Sequence, residues 1–265
     1  MAERALPSAA SLPRRLLQSL LPWLCVAVLW ELLSRSGLVS ARLMPSLVLI
    51  AQAFVEELQS GLLMFHAWAS LLRALTGFLL AVFFGVLLGV LMARNRWFDA
   101  LFEPVFSFGY PVPKIALYPL LVFVLGFGSP SKIALIFMEC LFPVALNTCF
   151  GIRAVERKYR WSATNMGATA WQSFFKVLVP AAAPTIFSGI RVALPLSMVV
   201  VVITEMIGDS RGLGYFISYA TASFKYAQAY AGVLTIALIG FALDRSLVWL
   251  RNRLIFWERA GASIL

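Results

Sequence analysis

The sequence predicts an all-α polytopic membrane protein with six transmembrane helices and a short extra helix in the loop between the fourth and fifth. Composition is the first reason. Hydrophobic residues make up 61% and charged residues 13% of the 265, whereas soluble domains run about 45–50% apolar and about 25% charged. Length of the apolar runs is the second, since about twenty residues cross about 30 Å of hydrocarbon. Charge placement is the third: Lys and Arg crowd alternate ends of the runs, as membrane topology requires. The net charge of +10 is explained by that placement, and basic residues interleaved with aromatics on a soluble face, as a nucleic-acid binder needs, are absent.

The spans follow in order at 16–34, 72–93, 105–126, 132–152, 185–207 and 227–250. Residues 16–30 carry no charge, and neither do 74–93 nor 226–243. The fourth span carries one, Glu139. The third contains Pro111, Pro113 and Lys114, which predict a kinked or irregular first half. The fifth is apolar apart from Arg191 near its start and Glu205 near its end. Arg14 and Arg15 ahead of the first run, with Val39-Ser40-Ala41 beyond it, suggest a signal peptide. The run is longer than a signal core and the small residues lie several polar positions past it, so it reads as a retained helix.

Six spans put both termini on one side, with tails at 1–15 and 252–265 around a transmembrane domain at 16–251. Placing the termini inside collects Arg4, Arg14, Arg15, Arg94, Arg96, the 153–176 cluster, Arg191 and the basic C-terminal residues on the cytoplasmic face. The outer face keeps Arg35, Arg42, Arg73, Lys132, Arg211 and Lys225. That asymmetry orients the protein with both termini cytoplasmic.

Few residues suit chemistry. His66 is the sole histidine, and Cys25, Cys140 and Cys149 lie in apolar runs without C-x-x-C spacing, so neither a metal site nor a cofactor is expected. Cys140 and Cys149 fall on opposite faces of one helix and read as packing residues. The nearest approach to a phosphate loop, residues 126–132, has the wrong spacing and reads as a turn between helices. In the second span Gly77, Ala81, Gly85 and Gly89 recur every four residues, forming a small-residue face for close helix packing within the bundle or at a subunit interface. Lys114, Glu139 and Glu205 each cost about 2.5–3.5 kcal/mol at the bilayer centre on insertion scales, so they should face protein or water. With Asn147 they are the candidates for a substrate path. Against that, Lys114 could pair with Glu139, Glu205 could cap the outer loop, and Asn147 could serve packing.

The loop at 153–184 is too polar to span and too apolar to be simply solvated. Met166, Ala170, Phe174 and Val177 fall at helical spacing and predict one amphipathic helix, with Gly167 near its middle. Pro180 and Pro184 are expected to break the chain before the fifth span. Such a helix can lie against the bundle or fill a groove on a soluble partner.

This loop resembles the coupling signature of binding-protein-dependent ABC-importer permeases, E-A-A-x-x-x-G-x9-I-x-L-P. Aligned on Gly167, the sequence has Trp161, Ser162 and Ala163 at its start and Val177, Val179 and Pro180 at its end, with Ala168 following the glycine. The spacing matches throughout; Trp161 stands where the family has Glu. Short stretches elsewhere are similar to the nitrate/sulfonate/taurine subgroup: Met44-Pro45-Ser46, Ser70-Leu71-Leu72-Arg73, the run 113–120, Gly126-Phe127-Gly128, Thr204-Glu205-Met206 and Arg211-Gly212-Leu213-Gly214. The resemblance implies a type I importer permease of a bacterial inner membrane. It further implies cytoplasmic ATPase subunits docked on the loop, a periplasmic binding protein, a second permease subunit as a homodimer, and a small anionic solute such as a sulfonate, taurine or nitrate. The rival readings are a stand-alone secondary transporter or channel, which would need coupling-ion sites, and a membrane scaffold.

Overall fold

Helix α3 (Leu62–Arg94) lays its small residues against α6 (Ser129–Ala154), and this contact centres the fold. A Cβ placed on Gly77 would lie 2.7 Å from the Ile136 side chain, one on Gly85 2.9 Å from Val144, and one on Gly89 2.5 Å from the Ala145 carbonyl. Only residues without side-chain bulk let the backbones approach this closely. Ala81 is fully buried on the same face, so the stripe serves packing inside the bundle. On its other side α6 meets α9 (Val179–Met206), where a Cβ on Gly189 would lie 2.6 Å from Asn147.

The computed structural model describes residues 11–40 and 42–257, with side chains from residue 21 onward. Residues 1–10 and 258–265 of the expected tails lie outside the described residues. The rest of the described chain comprises α1 (Ser11–Arg35), α2 (Leu47–Gln59), α4 (Arg96–Gly109), α5 (Tyr118–Leu125), α7 (Arg157–Asn165), α8 (Ala170–Ser173), α10 (Leu213–Ala222) and α11 (Tyr226–Leu254), with no strand among the described residues. Four helical stretches are long and apolar enough to cross a membrane: Leu62–Arg94, Ser129–Ala154, Ala170–Met206 and Tyr226–Leu254. The predicted third span is α4 and α5 joined by a 3-10 turn, Lys114–Leu117, and bent by 94°. Pro111 and Pro113, which withhold backbone donors, lie in the break. Helix α1 covers the predicted first span but is less apolar than the others, with Gln18, Ser19 and Glu31 in its length. Near its C-terminal end Trp30 Nε1 donates to the Pro45 carbonyl at 3.1 Å and Ser34 Oγ to the Met44 carbonyl at 2.8 Å.

Several boundaries differ from the sequence reading. Helix α3 begins at Leu62, ten residues ahead of the span expected from 72, and Arg73 is buried within it at 4% exposure. Helices α2 and α10 were not anticipated. Ser46 caps α2 by accepting from the Leu49 amide at 3.3 Å, while α10 packs on α3, α9 and α11. Pro180 and Pro184 do not break the chain. Helix runs without interruption from Ala170 to Met206, and a π turn, Phe174–Leu178, lies directly ahead of Pro180. Pro180 deprives one preceding carbonyl of its helical donor, and such a wide turn is a usual site for absorbing a fault in the hydrogen-bond ladder.

Candidate functional site: the 155–180 loop and the buried charges

The loop is two short helices rather than one. Helix α7 ends at Asn165, and the chain turns at Gly167, whose φ of 78° is left-handed. The Gly167 amide donates to the Thr164 carbonyl at 2.9 Å and the Ala168 amide to the Ala163 carbonyl at 3.0 Å. These paired bonds form the Schellman arrangement that terminates a helix. Nothing lies within 4 Å of a Cβ built on Gly167, so its backbone conformation, not crowding within this chain, calls for glycine. Thr169 then opens α8 with a capping box: its hydroxyl accepts from the Gln172 amide at 3.2 Å and the Gln172 side chain accepts from the Thr169 amide at 3.0 Å.

The break at Gly167 overturns the single amphipathic stripe. Phe174 is buried, Val177 is half-buried, Ala170 is exposed and Met166 is 86% exposed. A helix signal read straight through a left-handed residue loses its phase there. What anchors the loop is different: Ala163, Phe174 and Leu178 are buried, the Arg94 guanidinium sits 4.5 Å over the Phe174 ring, and Arg153 bonds the Met92 carbonyl at 3.0 Å and Asp99 at 2.7 Å. Outward, the loop shows Trp161 at 65% and Trp171 at 68% exposure, the latter tilted by 55° against Phe175 with ring centres 4.3 Å apart. Ser162 is exposed, Ala168 half-buried, and Val179 and Pro180 half-buried. Arg157, Lys158, Arg160 and Lys176 are exposed around these rings. Glu156 is the acid of this stretch and ties itself to Lys158 at 2.6 Å. The Glu156 contact raises the Lys158 pKa, so that ammonium stays charged. A cleft of 480 Å³ between α3 and the loop is lined by Arg94, Arg160, Thr164, Ala168 and Phe174 among others.

Of the four candidate path residues, the structure brings two together. Lys114 Nζ lies 3.9 Å from Glu139 and 4.3 Å from the centre of the Phe142 ring. Asn147 donates to the Pro143 carbonyl one turn back along its own helix at 2.8 Å and lies against Gly189.

Glu205 belongs elsewhere. It is fully buried and receives Arg73 Nη1 at 2.8 Å, Ser70 Oγ at 2.6 Å and the Gly214 amide at 3.1 Å. Arg73 also contacts Asp209 at 2.8 Å and donates to the Arg211 carbonyl at 2.9 Å, and Lys132 meets Asp209 at 2.9 Å. The Ser70 hydroxyl accepts from the Leu213 amide at 2.7 Å, and His66 Nδ1 accepts from the Gly212 amide at 3.0 Å. Burial opposes charge on Asp209, but the close Lys132 ammonium, the Ser210 amide and the Arg73 charge outweigh it and hold the carboxyl below its usual range. Side chains on Gly212 or Gly214 would collide with Glu205 or the Val202 carbonyl. Three of the short sequence motifs, around Ser70, Glu205 and Gly212, thus converge in one knot. Arg73, Lys132, Asp209 and His66 were missed as its members. Helical spacing held the clue, since Ser70 and Arg73 lie on the face that continues through Gly77 and Ala81.

Comparison with known proteins agrees with this architecture. Residues 81–256 match the family described as binding-protein-dependent transport system inner membrane component. The chain is 34% identical over 241 residues to the putative aliphatic sulfonates transport permease protein SsuC of Bacillus subtilis (strain 168), covering 91% of this chain and 87% of that protein. It is 33% identical over 193 residues to the taurine transport system permease protein TauC of Escherichia coli (strain K12), covering 73% and 70%. Among solved structures, an inward-facing MetNI methionine ABC transporter chain aligns with a TM-score of 0.60 at 18% identity, covering 73% of this chain and 96% of that one. That likeness bears on the fold, which is the type I importer permease fold; the rival readings gain no support from any of these matches. A protein with this helical core and these relatives is a transport subunit: the chain belongs to the family of inner membrane components of binding-protein-dependent transport systems.

Proposed function

We propose that the chain forms the translocation path for a small oxyanion in an ATP-driven importer, as a homodimer with both termini cytoplasmic. Separate ATPase subunits dock on the 155–180 loop, and a periplasmic binding protein delivers the solute. The oxyanion class is taken from the names of the relatives, which include sulfonate, taurine and bicarbonate permeases. The observation that carries the reading is the loop. Its helix pair is held by a Schellman turn and a capping box, yet it leaves two tryptophans and a methionine in the open among basic residues. Exposed aromatics on a rigid element rimmed by charge suit a protein groove. Because Ala170 to Met206 is continuously helical, force on α8 reaches the fifth span along a single rod. Coupling requires such an element, one that biases two global states.

Trp161 takes the place of the family's acidic residue, so docking here rests on burial of the indole and on basic side chains against an acidic-rimmed groove. The test is a cysteine at Ala168 in a Cys25→Ser background, co-expressed with a candidate ABC ATPase from the same genome. Crosslinking of Ala168→Cys to the ATPase, with ATP hydrolysis that rises when binding protein and solute are added, is the expected result. Labelling of that cysteine by a membrane-impermeant reagent from outside intact cells would overturn the orientation.

A further inference from the structure

Lys114 and Glu139 meet where the third span breaks. Lys114 lies in the 3-10 turn between α4 and α5, at the 94° bend. Irregular backbone at membrane depth is tolerated where it is buried in protein or lines a watery cavity, and discontinuous helices are where transporters place solute sites. The Lys114 side chain is 7% exposed, and its ammonium makes no hydrogen bond among the described residues: Glu139 stands 3.9 Å away, beyond hydrogen-bond reach. Glu139 is partly open at 24% exposure. The rings of Phe142 at 4.3 Å and Tyr110 at 5.9 Å face the ammonium. The charges are close enough to feel each other, and both keep unused hydrogen-bonding capacity.

We propose that Lys114 and Glu139 form a two-point site for a zwitterion, a solute with an oxyanion head and an ammonium group a few atoms apart; this rests on the importer reading above. A lone anion drawn to Lys114 is repelled by Glu139, since the pair carries no net charge. A zwitterion aligned against the pair satisfies both ends: its oxyanion takes the free Lys114 donors, and its ammonium takes a Glu139 oxygen with the aromatic faces alongside. The Arg73–Glu205 knot does not offer this, because its acid already accepts from Arg73, Ser70 and the Gly214 amide.

The experiment titrates the permease in lipid nanodiscs, with and without its ATPase, using 2-aminoethanesulfonate and ethanesulfonate as probes. The site predicts at least tenfold tighter binding of 2-aminoethanesulfonate. Glu139→Gln should abolish or invert that preference, and Lys114→Met should lose both probes. The exchanged pair, Lys114→Glu with Glu139→Lys, should retain the zwitterion preference, which separates binding from folding. Equal affinity for the two probes, or binding of neither by the wild-type permease, overturns the proposal. If either occurs in a complex that still couples to the ATPase, the importer reading stands and the zwitterion site alone falls. If no ATPase complex forms, the importer reading fails, and titration of the permease by itself still decides the site.

Discussion

Two acid–base clusters lie among the apolar helices, and they are built to opposite specifications. Around Glu205 the acid is fully buried and accepts from Arg73, Ser70 and a backbone amide at 2.6–3.1 Å. Around Lys114 the partner is 3.9 Å off and partly open. The first knot joins α3, α6, α9 and the turn before α10, so its charges are structural. The second leaves its ammonium without a hydrogen-bond acceptor among the described residues, at a break in a span. Burial alone would have grouped them; the closeness of the pairing separates them, at 2.8–2.9 Å in the first and 3.9 Å in the second. A closely paired cluster holds helices, and a loosely paired one is available to a ligand.

The sharpest way to break this comparison is Glu205→Ala. It removes one of the two carboxylates that pair with Arg73 and takes away the acceptor of the Ser70 hydroxyl and the Gly214 amide, and removing one partner of a buried pair costs about 3–5 kcal/mol. The expected outcome is a large drop in the thermal midpoint in detergent, or failure to accumulate as a monodisperse species. Next comes Gly89→Ala, whose methyl would lie 2.5 Å from the Ala145 carbonyl. Forcing extra volume into a packed interface costs about 1–3 kcal/mol, read by the same melting assay. Gly167→Ala places a side chain at a φ of 78°, a strain of about 1–2 kcal/mol, confined to a loop with open space around it. It should leave the melting midpoint nearly unchanged while lowering solute-stimulated ATP hydrolysis. Glu139→Gln should be the mildest for stability, within about 1 kcal/mol, because a long, partly exposed pair contributes little. A loss near that of Glu205→Ala would erase the distinction between the clusters.

Acid provides a further check on the closely paired knot. Asp209 has its carboxyl held below the ordinary value. A depressed group contributes stability that is fully present above its unfolded pKa, about 3.9, and is lost as pH falls through the lower folded value. Stability should therefore hold from neutral pH to about pH 5, then decline in more acid solution. Asp209→Asn should flatten that decline.

Much of the site was legible along the chain, and the parts that were not share a cause. The spacing around Gly167 identified the loop, because a helix terminated by a left-handed residue has a local sequence requirement. The phase of the apolar stripe was misread for the same reason: periodicity assumes an unbroken helix, and Met166 lies just before the break. Pro180 was read as a breaker because a proline removes a hydrogen bond, whereas the π turn ahead of it accommodates that loss. Arg73 was taken as a span boundary because charge ordinarily marks the membrane surface. Its neutralisation depends on Glu205 and Asp209, more than a hundred residues away, and no local pattern reports that.

By itself, the sequence determined the all-α membrane class, the small-residue face of α3, the turn at Gly167 and the family resemblance, since each depends on composition or on residues a few positions apart. Tertiary structure decided which buried charges are mutually satisfied and which are left open. That distinction depends on distances of one or two ångströms between side chains from separate helices, set only when α3, α6 and α9 close on one another.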